Sequence, residues 1–115
     1  MNKFYGYRHN KNNNWEGDRI LDITDIKIRK VYREGRLRAL VSVTFDNVFA
    51  VHDIKVIDGP KRLFAAMPSR RDENGTFRDI CHPITAKERN RLEKEVVYAY
   101  EQYMQEKPHE VYREI

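Results

Sequence analysis

Apolar side chains recur at nearly every second position through residues 23–57, and this alternation constrains the fold of the chain more than any other feature. Successive side chains of a β-strand point to opposite faces, so the pattern predicts half-buried strands. Glu34-Gly35 and Asp46-Asn47 divide the stretch into three runs and are typical of tight turns. Short turns join antiparallel neighbours, and we therefore expect an antiparallel sheet.

The period changes to that of a helix near the C-terminus. Thr85 and Glu88 have the spacing of a capping box at a helix start, apolar residues then recur at helical spacing, and Pro108 ends the run. Two short strands, residues 63–67 and 76–81, are predicted before this helix. The sequence therefore predicts an α+β fold: an antiparallel β-sheet of about five strands with one C-terminal helix packed on it.

A chain of 115 residues fits one domain. We expect a flexible N-terminal extension (1–19), one domain (20–107) and a short polar tail (108–115). Cys81 is the single cysteine, which excludes an intrachain disulfide and favours a reducing compartment; we expect it to be a small buried apolar side chain. The sequence has no apolar run of about 18 residues and no apolar secretory signal, so a cytoplasmic protein with no membrane partner is expected.

Positive charge is concentrated in two windows of the sequence. Residues 27–38 contain six basic residues and one acidic residue, and residues 60–71 contain four basic residues and no acidic residue. The windows carry +5 and +4, so the rest of the chain carries −5 within a net charge of +4. This polarised distribution favours an anionic partner for one surface.

The first window contains four candidate phosphate-binding residues around a predicted hairpin turn. Lys27 and Arg29 share one face of their strand, and Arg36 and Arg38 are expected alongside them across the turn. Side chains two positions apart on a strand are roughly 7 Å apart, close to the spacing of successive phosphates along a nucleic-acid strand. The alternative is a solvated sheet face whose charges prevent aggregation at a strand edge.

The second window contains Arg70 and Arg71, which follow Pro68 at a predicted turn. Arginine forks bind phosphate oxygens in a bidentate manner and can also read guanine edges. The alternative is a basic turn whose arginines pair locally with Asp72 and Glu73.

Four further basic residues are weaker candidates for the same surface. Lys61 and Arg62 either enlarge it or decorate a loop. Lys87 and Arg91 share one helix face, where phosphate contact competes with an ordinary solvated surface of interleaved ion pairs.

Two groups of residues could suggest an enzyme or a metal site: His52 with Asp53, and Asp79 with His82. A metal site needs three or four converging ligands, and no phosphate loop, dinucleotide fingerprint or nucleophile elbow is found in the sequence. We expect a hydrogen-bonded structural role for His52, with Asp53 bonded to His52 or to a turn backbone. The prediction is a protein that is not an enzyme and has no metal, cofactor or small-molecule substrate.

Four segments of the sequence form a recognisable pattern. The first three are Ile23-Thr24-Asp25-Ile26-Lys27-Ile28-Arg29-Lys30-Val31, Gly35-Arg36-Leu37-Arg38-Ala39 and Val51-His52-Asp53-Ile54-Lys55-Val56-Ile57. The fourth, residues 63–84, is the most informative and includes Met67-Pro68-Ser69-Arg70-Arg71 and Cys81-His82-Pro83-Ile84. In this order and spacing, the four segments resemble the signature of the stage V sporulation protein G (SpoVG) family of small bacterial regulators. With the helix, the resemblance covers roughly residues 22–103.

The resemblance implies a homodimer that binds DNA, with RNA as a further candidate, in septation, sporulation or related gene control. It also implies that Arg70 and Arg71, the basic pair after Met-Pro-Ser, contact DNA. Lys61 and Arg62 depart from the family, whose loop here is usually small and uncharged. Apolar residues on both sheet faces around 37–56 exceed what one helix can cover, which also favours a dimer. The alternative is a protein-interaction module that modulates cell-division or regulatory partners without binding nucleic acid.

Overall fold

In the described residues, each strand pairs with strands that are its neighbours in the sequence. The computed structural model describes residues 8–9, 15–16 and 21–106. Its elements are β1 (Arg8–His9), β2 (Trp15–Glu16), β3 (Ile23–Val31), β4 (Leu37–Phe45), β5 (Phe49–Asp58), β6 (Leu63–Ala66), β7 (Ser69–Arg71), β8 (Phe77–Asp79) and α1 (Ala86–Glu106). Strands β3 to β6 form one antiparallel sheet in that order, β7 pairs with β8, and β1 pairs with β2.

The two turns predicted in the alternating stretch are present, and each uses a positive φ angle. Gly35 has a φ of 90° between β3 and β4. Asp46 and Asn47 have φ angles of 51° and 59° between β4 and β5, and short polar side chains tolerate this conformation better than most residues do. The Asp46 carboxylate also accepts a hydrogen bond from the Asp22 backbone N–H at 3.0 Å, which ties the start of β3 to this turn.

Helix α1 begins where the capping signal predicts. The Thr85 hydroxyl accepts a hydrogen bond from the Glu88 backbone N–H at 3.1 Å, and the first helical residue is Ala86. The Glu88 carboxylate does not complete the predicted capping box. It accepts a hydrogen bond from Arg91 within the helix instead. The helix contacts β3, β5 and β6 through one apolar stripe, whose buried members are Leu92, Val96 and Tyr100.

The core lies between α1 and one face of the main sheet. Alternate residues of the two central strands provide most of it, as the period-two pattern predicts. Cys81 packs against the core but is half-buried, so the prediction of a buried cysteine is only partly correct. The buried sheet residues are Val31, Ala39, Val41, Val43, Ile54 and Val56, and Met67 completes the core beyond β6.

Strands β7 and β8 form a two-stranded ribbon instead of a fifth strand of the main sheet. Pro68 and Ile80 close its base, where the Ile80 N–H donates to the Pro68 carbonyl at 2.8 Å. The predicted strand at residues 76–81 therefore pairs with the segment after Pro68. The α+β class, the antiparallel strands and the single C-terminal helix are confirmed, with four strands in the main sheet and the ribbon beside it.

The predicted N-terminal extension (1–19) and polar tail (108–115) lie largely outside the described residues. Within the extension, Arg8 pairs with Glu16 and His9 with Trp15 in a short antiparallel ladder. Within the described residues, no helix has an apolar stretch long enough to cross a membrane.

Candidate nucleic-acid interface

The ribbon places Arg70 and Arg71 on opposite faces. Arg70 is paired across the ladder with Arg78, and Arg71 is paired with Phe77. Directly opposed residues of an antiparallel ladder share a face, and consecutive residues point in opposite directions. Both arginines are exposed. The two guanidinium groups are therefore available to two different parts of a ligand, and not to one phosphate together.

Asp72 fixes the turn of the ribbon. Its carboxylate accepts hydrogen bonds from the Asn74 and Thr76 backbone N–H groups at 2.9 and 3.0 Å and from Arg78 Nε at 2.8 Å. The Arg78 bond, followed by the Thr76 backbone bond, lowers the pKa of Asp72 below its ordinary value. Gly75 completes the turn with a φ of 83°.

The Asp72 carboxylate is bonded to Arg78. It is therefore not the local partner that the alternative assigns to Arg70 and Arg71. Among the described residues, no ion pair joins Arg70 or Arg71 to a carboxylate. Arg71 has an aromatic neighbour instead, because its guanidinium carbon lies over the Phe77 ring, 5.5 Å from the centroid. No carboxylate among residues 21–106 therefore neutralises Arg70 or Arg71 at the ribbon surface.

The two basic windows converge at one end of the main sheet. The turn after β3 and the loop after β5 are joined where the Asp58 N–H donates to the Arg36 carbonyl at 2.8 Å and Arg36 Nε donates to the Asp58 carbonyl at 3.3 Å. Lys61 is exposed in this loop, and Arg33 is exposed in the turn. This end of the sheet, the basic end, comprises residues 33–38 and 58–62.

Arg38 has a structural role at the basic end. Its Nη1 donates to the carbonyls of Arg33 and Gly35 at 3.1 and 3.3 Å and so stabilises the hairpin turn. The expectation that Arg36 and Arg38 lie alongside Lys27 and Arg29 is wrong. The register places Ser42 opposite Lys27, while Arg36 lies in the turn and Arg38 near the start of β4.

Lys27 and Arg29 do reach the same sheet face, the open face that points away from α1. Arg29 Nε donates to the Ser42 hydroxyl at 3.0 Å. The same hydroxyl lies 2.7 Å from His52 Nδ1, so the predicted hydrogen-bonded role of His52 is observed, although the ring is exposed. Lys27 lies 3.6 Å from Asp25 in an exposed ion pair.

Asp53 lies in an irregularity of β5 that the sequence did not predict. The register of β4 with β5 shifts between Val41 and Val43, and Asp53 has a φ of 66° there. Asp53 is exposed, and within the described residues its carboxylate bonds neither to His52 nor to a turn backbone, so that prediction is wrong. The bulge lies opposite Ser42 and brings His52 within reach of its hydroxyl.

The remaining candidates differ in how much of their charge is paired. Arg62 forms an ion pair with Glu93 beside an open groove of about 620 Å³ between α1 and the start of β6. Arg91 is half-buried, pairs with Glu88 at 3.0 Å and donates to the Leu21 carbonyl. Lys87 is exposed. Arg91 therefore fits the alternative of ion pairs on the helix surface, whereas Lys87 forms no ion pair with the residues that the structure describes.

The structure adds residues that the charge windows did not single out. Lys30 and Lys55 lie on either side of Leu40 on the open face, each on a neighbouring strand. This arrangement can be known only from the register of the two ladders. Phe77 and Arg78 belong to the ribbon. Their position could have been found from the Asn74-Gly75 turn, because that turn places residues on either side of it opposite each other.

Asp79 and His82 do not form a site with His52 and Asp53. Asp79 is paired with Ser69 at the base of the ribbon, and His82 Nδ1 lies 3.0 Å from the Pro83 carbonyl oxygen. Within the described residues, no three His, Cys, Asp or Glu side chains come together as a possible metal-ion site.

Comparison with known proteins gives consistent matches over the region that contains this interface. The sequence profile of the family described as SpoVG matches residues 21–102. A protein of Heliobacterium modesticaldum is 55% identical over 82 residues, which is 71% of this chain and 92% of the relative. A protein of Lachnospira eligens is 52% identical over 88 residues, 75% of this chain and 100% of the relative. A protein of Caldanaerobacter subterraneus is 56% identical over 81 residues, 70% of this chain and 89% of the relative. All three carry the name "Putative septation protein SpoVG".

Proposed function

This chain belongs to the SpoVG family, and from that premise we propose that it is a bacterial regulator that binds nucleic acid through its ribbon and basic end. The observation that carries the proposal is that the positive charges of Arg70 and Arg71 are exposed and unpaired within the described residues. Both are exposed on a ribbon that Asp72 holds in shape, and neither is neutralised by a carboxylate within residues 21–106. The backbone that carries the two arginines is already ordered, so it does not have to be ordered on binding, which favours contact with phosphate.

The basic end extends the proposed contact surface. Eight residue steps separate Arg62 from Arg70, so the two positions are at most about 29 Å apart. At 3.4 Å per base-pair step, this distance corresponds to no more than about nine base pairs of duplex. Lys61 and Arg33 at the basic end and Arg70 and Arg71 on the ribbon would therefore contact phosphates within one short site.

The proposed mechanism is charge neutralisation with limited reading of bases. Each lysine or arginine that contacts a phosphate releases condensed counterions, so the affinity depends strongly on salt. One arginine of the ribbon is also suited to a guanine edge, because a planar fork matches its two acceptors. The protein is proposed to act in the cytoplasm, without catalysis, in the septation or sporulation processes that the family and its relatives are named for.

A homodimer is part of the proposal. Leu40, Ile57 and Phe64 alternate with core residues and are half-buried on the open face, where α1 does not reach. Apolar residues on both faces of a sheet support association with a second copy. A dimer would also present two ribbons and two basic ends to one nucleic acid, which raises the overall affinity.

Titration of short DNA duplexes, single strands and RNA at several salt concentrations tests this function. Arg70→Ala/Arg71→Ala should flatten the slope of log affinity against log salt by about 0.7–0.9 per lost phosphate contact. For one contact this equals about a 2.6- to 3.5-fold smaller loss of affinity between 50 and 200 mM salt. The control Arg89→Glu changes the net charge by the same two units on another, exposed side of α1 and should leave the slope close to that of the wild type.

Two results would contradict the proposal. One is a wild-type protein that binds none of the nucleic acids at 50 mM salt, in which case the protein-interaction class takes its place. The other is a double-arginine variant that loses no more slope than the Arg89→Glu control does, because the binding surface would then lie elsewhere.

A further inference from the structure

Phe77 is a large apolar side chain that the fold leaves in solvent. The residue is 67% exposed, although it belongs to a strand with a defined partner. Phe49, at the turn between β4 and β5, is exposed to a similar extent at 59%. Phe77 differs in its surroundings, because the guanidinium carbon of Arg71 lies over the ring at 5.5 Å from its centroid. An exposed aromatic ring with a cation on one face is thus present on the ribbon.

We propose that Phe77, with Arg71 over one face, is a stacking platform for an unpaired nucleobase, so that the protein binds single-stranded nucleic acid in preference to duplex. This inference rests on the proposed function and specifies its ligand. Base stacking on an aromatic ring is sequence-tolerant because every base has a π face, and arginine adds a cation–π contribution. The ring face that Arg71 does not cover is the one that would receive the base.

The ribbon fixes the backbone on both sides of this platform. The carboxylate of Asp72 binds the Thr76 N–H, one residue before Phe77, and Arg78 Nε, one residue after it. The Asp72 N–H donates in turn to the Thr76 carbonyl at 2.9 Å. Both neighbours of Phe77 are therefore bonded to Asp72, the residue that follows β7, and the backbone that carries the ring does not have to be ordered when a base arrives.

Arg70 gives the same ligand a phosphate contact. It projects from the ribbon face opposite to Phe77, so a strand that crosses the ribbon can meet the ring on one side and the arginine on the other. A single strand is flexible enough for this path. In a duplex, base pairs are stacked on their neighbours and present only their edges, so the ring has no base face to contact unless it is inserted between base pairs.

The competing occupant of this surface is a second copy of the chain. Ile80 and Ile84 are also exposed near the base of the ribbon, and an apolar protein contact could cover them together with Phe77. The cation over the ring favours the base, because an arginine beside a stacked base is also well placed for its phosphate. The experiment below distinguishes the two occupants by mass.

The test compares Phe77→Leu with the matched control Phe49→Leu, using a single-stranded DNA of about 12 nucleotides and the duplex of the same length. Leucine keeps an apolar side chain but removes the stacking face. The wild type should bind the single strand more tightly than the duplex. Phe77→Leu should weaken single-strand binding by about 5- to 150-fold and change duplex binding and the salt slope little. Phe49→Leu should change neither, and Phe77→Trp should retain the preference.

A 2-aminopurine in the single strand provides a direct readout of stacking. Its fluorescence should be quenched by the wild type and by Phe49→Leu, and recover with Phe77→Leu at saturating protein. The inference is overturned if Phe77→Leu weakens both ligands equally, has no effect, or changes the oligomeric mass instead of the strand preference. A wild type that binds duplex and single strand equally refutes only this inference, whereas a wild type that binds neither refutes the proposed function as well.

Discussion

Replacing Ser42 by alanine should destabilise the protein more than any other loss of one hydroxyl from the open face. The side chain is only 5% exposed and joins three strands. Arg29 Nε of β3 donates to its oxygen, and His52 Nδ1 of β5 lies 2.7 Å away. Arginine can only donate, so both bonds are satisfied when the hydroxyl donates to His52 and the ring proton resides on Nε2. Alanine removes both bonds at once.

The magnitude follows from the two partners. A hydrogen bond to a charged group contributes about 1.5–3 kcal/mol and a neutral one about 0.5–1.5 kcal/mol. Arg29 and His52 are both exposed, so water replaces much of what each loses. We expect the free energy of unfolding to fall by about 1–2 kcal/mol, which lowers Tm by about 4–16 °C for a domain of this size.

Urea and thermal unfolding followed by circular dichroism measure this change. Thr44→Val is the matched control, because it removes a half-buried hydroxyl from the same face of the same strand. A double-mutant cycle of Ser42→Ala with Arg29→Ala should give a coupling energy of at least about 0.5 kcal/mol. The reasoning is refuted if Ser42→Ala unfolds like the Thr44→Val control, or if the Ser42 and Arg29 changes are additive.

Four further outcomes are expected. Sedimentation at micromolar concentration should give a mass near twice 13.8 kDa, and a concentration-independent monomer would contradict the dimer. Lys27→Ala should cost at most about 0.5 kcal/mol, since its ion pair with Asp25 is exposed; a loss as large as that of Ser42→Ala would show a structural role. Burial raises the pKa of Tyr100, so its neutral form favours folding and this stability is lost as the pH rises through and above about 10; Tyr100→Phe should remove that loss in alkaline unfolding curves, and an unchanged curve would argue against it. The pKa of Asp72 is lowered, so its contribution to the ribbon is present above about pH 4 and lost as the pH falls; the Thr76 amide chemical shift should titrate with a midpoint below that of a free aspartate, and a normal midpoint would contradict the bond to Arg78.

Local rules were sufficient to predict the elements of the fold. The turn at Gly35 requires a positive φ and the helix start at Thr85 requires an N-cap oxygen, so both could be located from a few adjacent residues. The alternation in β4 identified its core face, because burial of Ala39, Val41 and Val43 follows directly from a period of two. Each of these signals is carried by residues close together in the sequence.

The same reasoning could predict which residues belong to the candidate site, but not how they are arranged in space. The basic windows and the arginine pair after Met-Pro-Ser could be identified as charged surface segments. Their partners could not, since Arg38 bonds to carbonyls of its own turn, whereas Arg62 meets Glu93, 31 residues further along the chain. Whether a cation is neutralised depends on which carboxylate the fold brings to it.

The sequence alone therefore determined the fold class, the turns, the helix start and the charge distribution of this protein, because each depends on neighbouring residues. Only the tertiary structure decided that Arg70 and Arg71 face opposite ways, that the two basic windows meet beside Asp58, and that Ser42 joins Arg29 to His52. The physical reason is strand register. A bulge of one residue in β3 or β5 changes every cross-strand neighbour beyond it, while the local alternation of apolar residues remains almost the same.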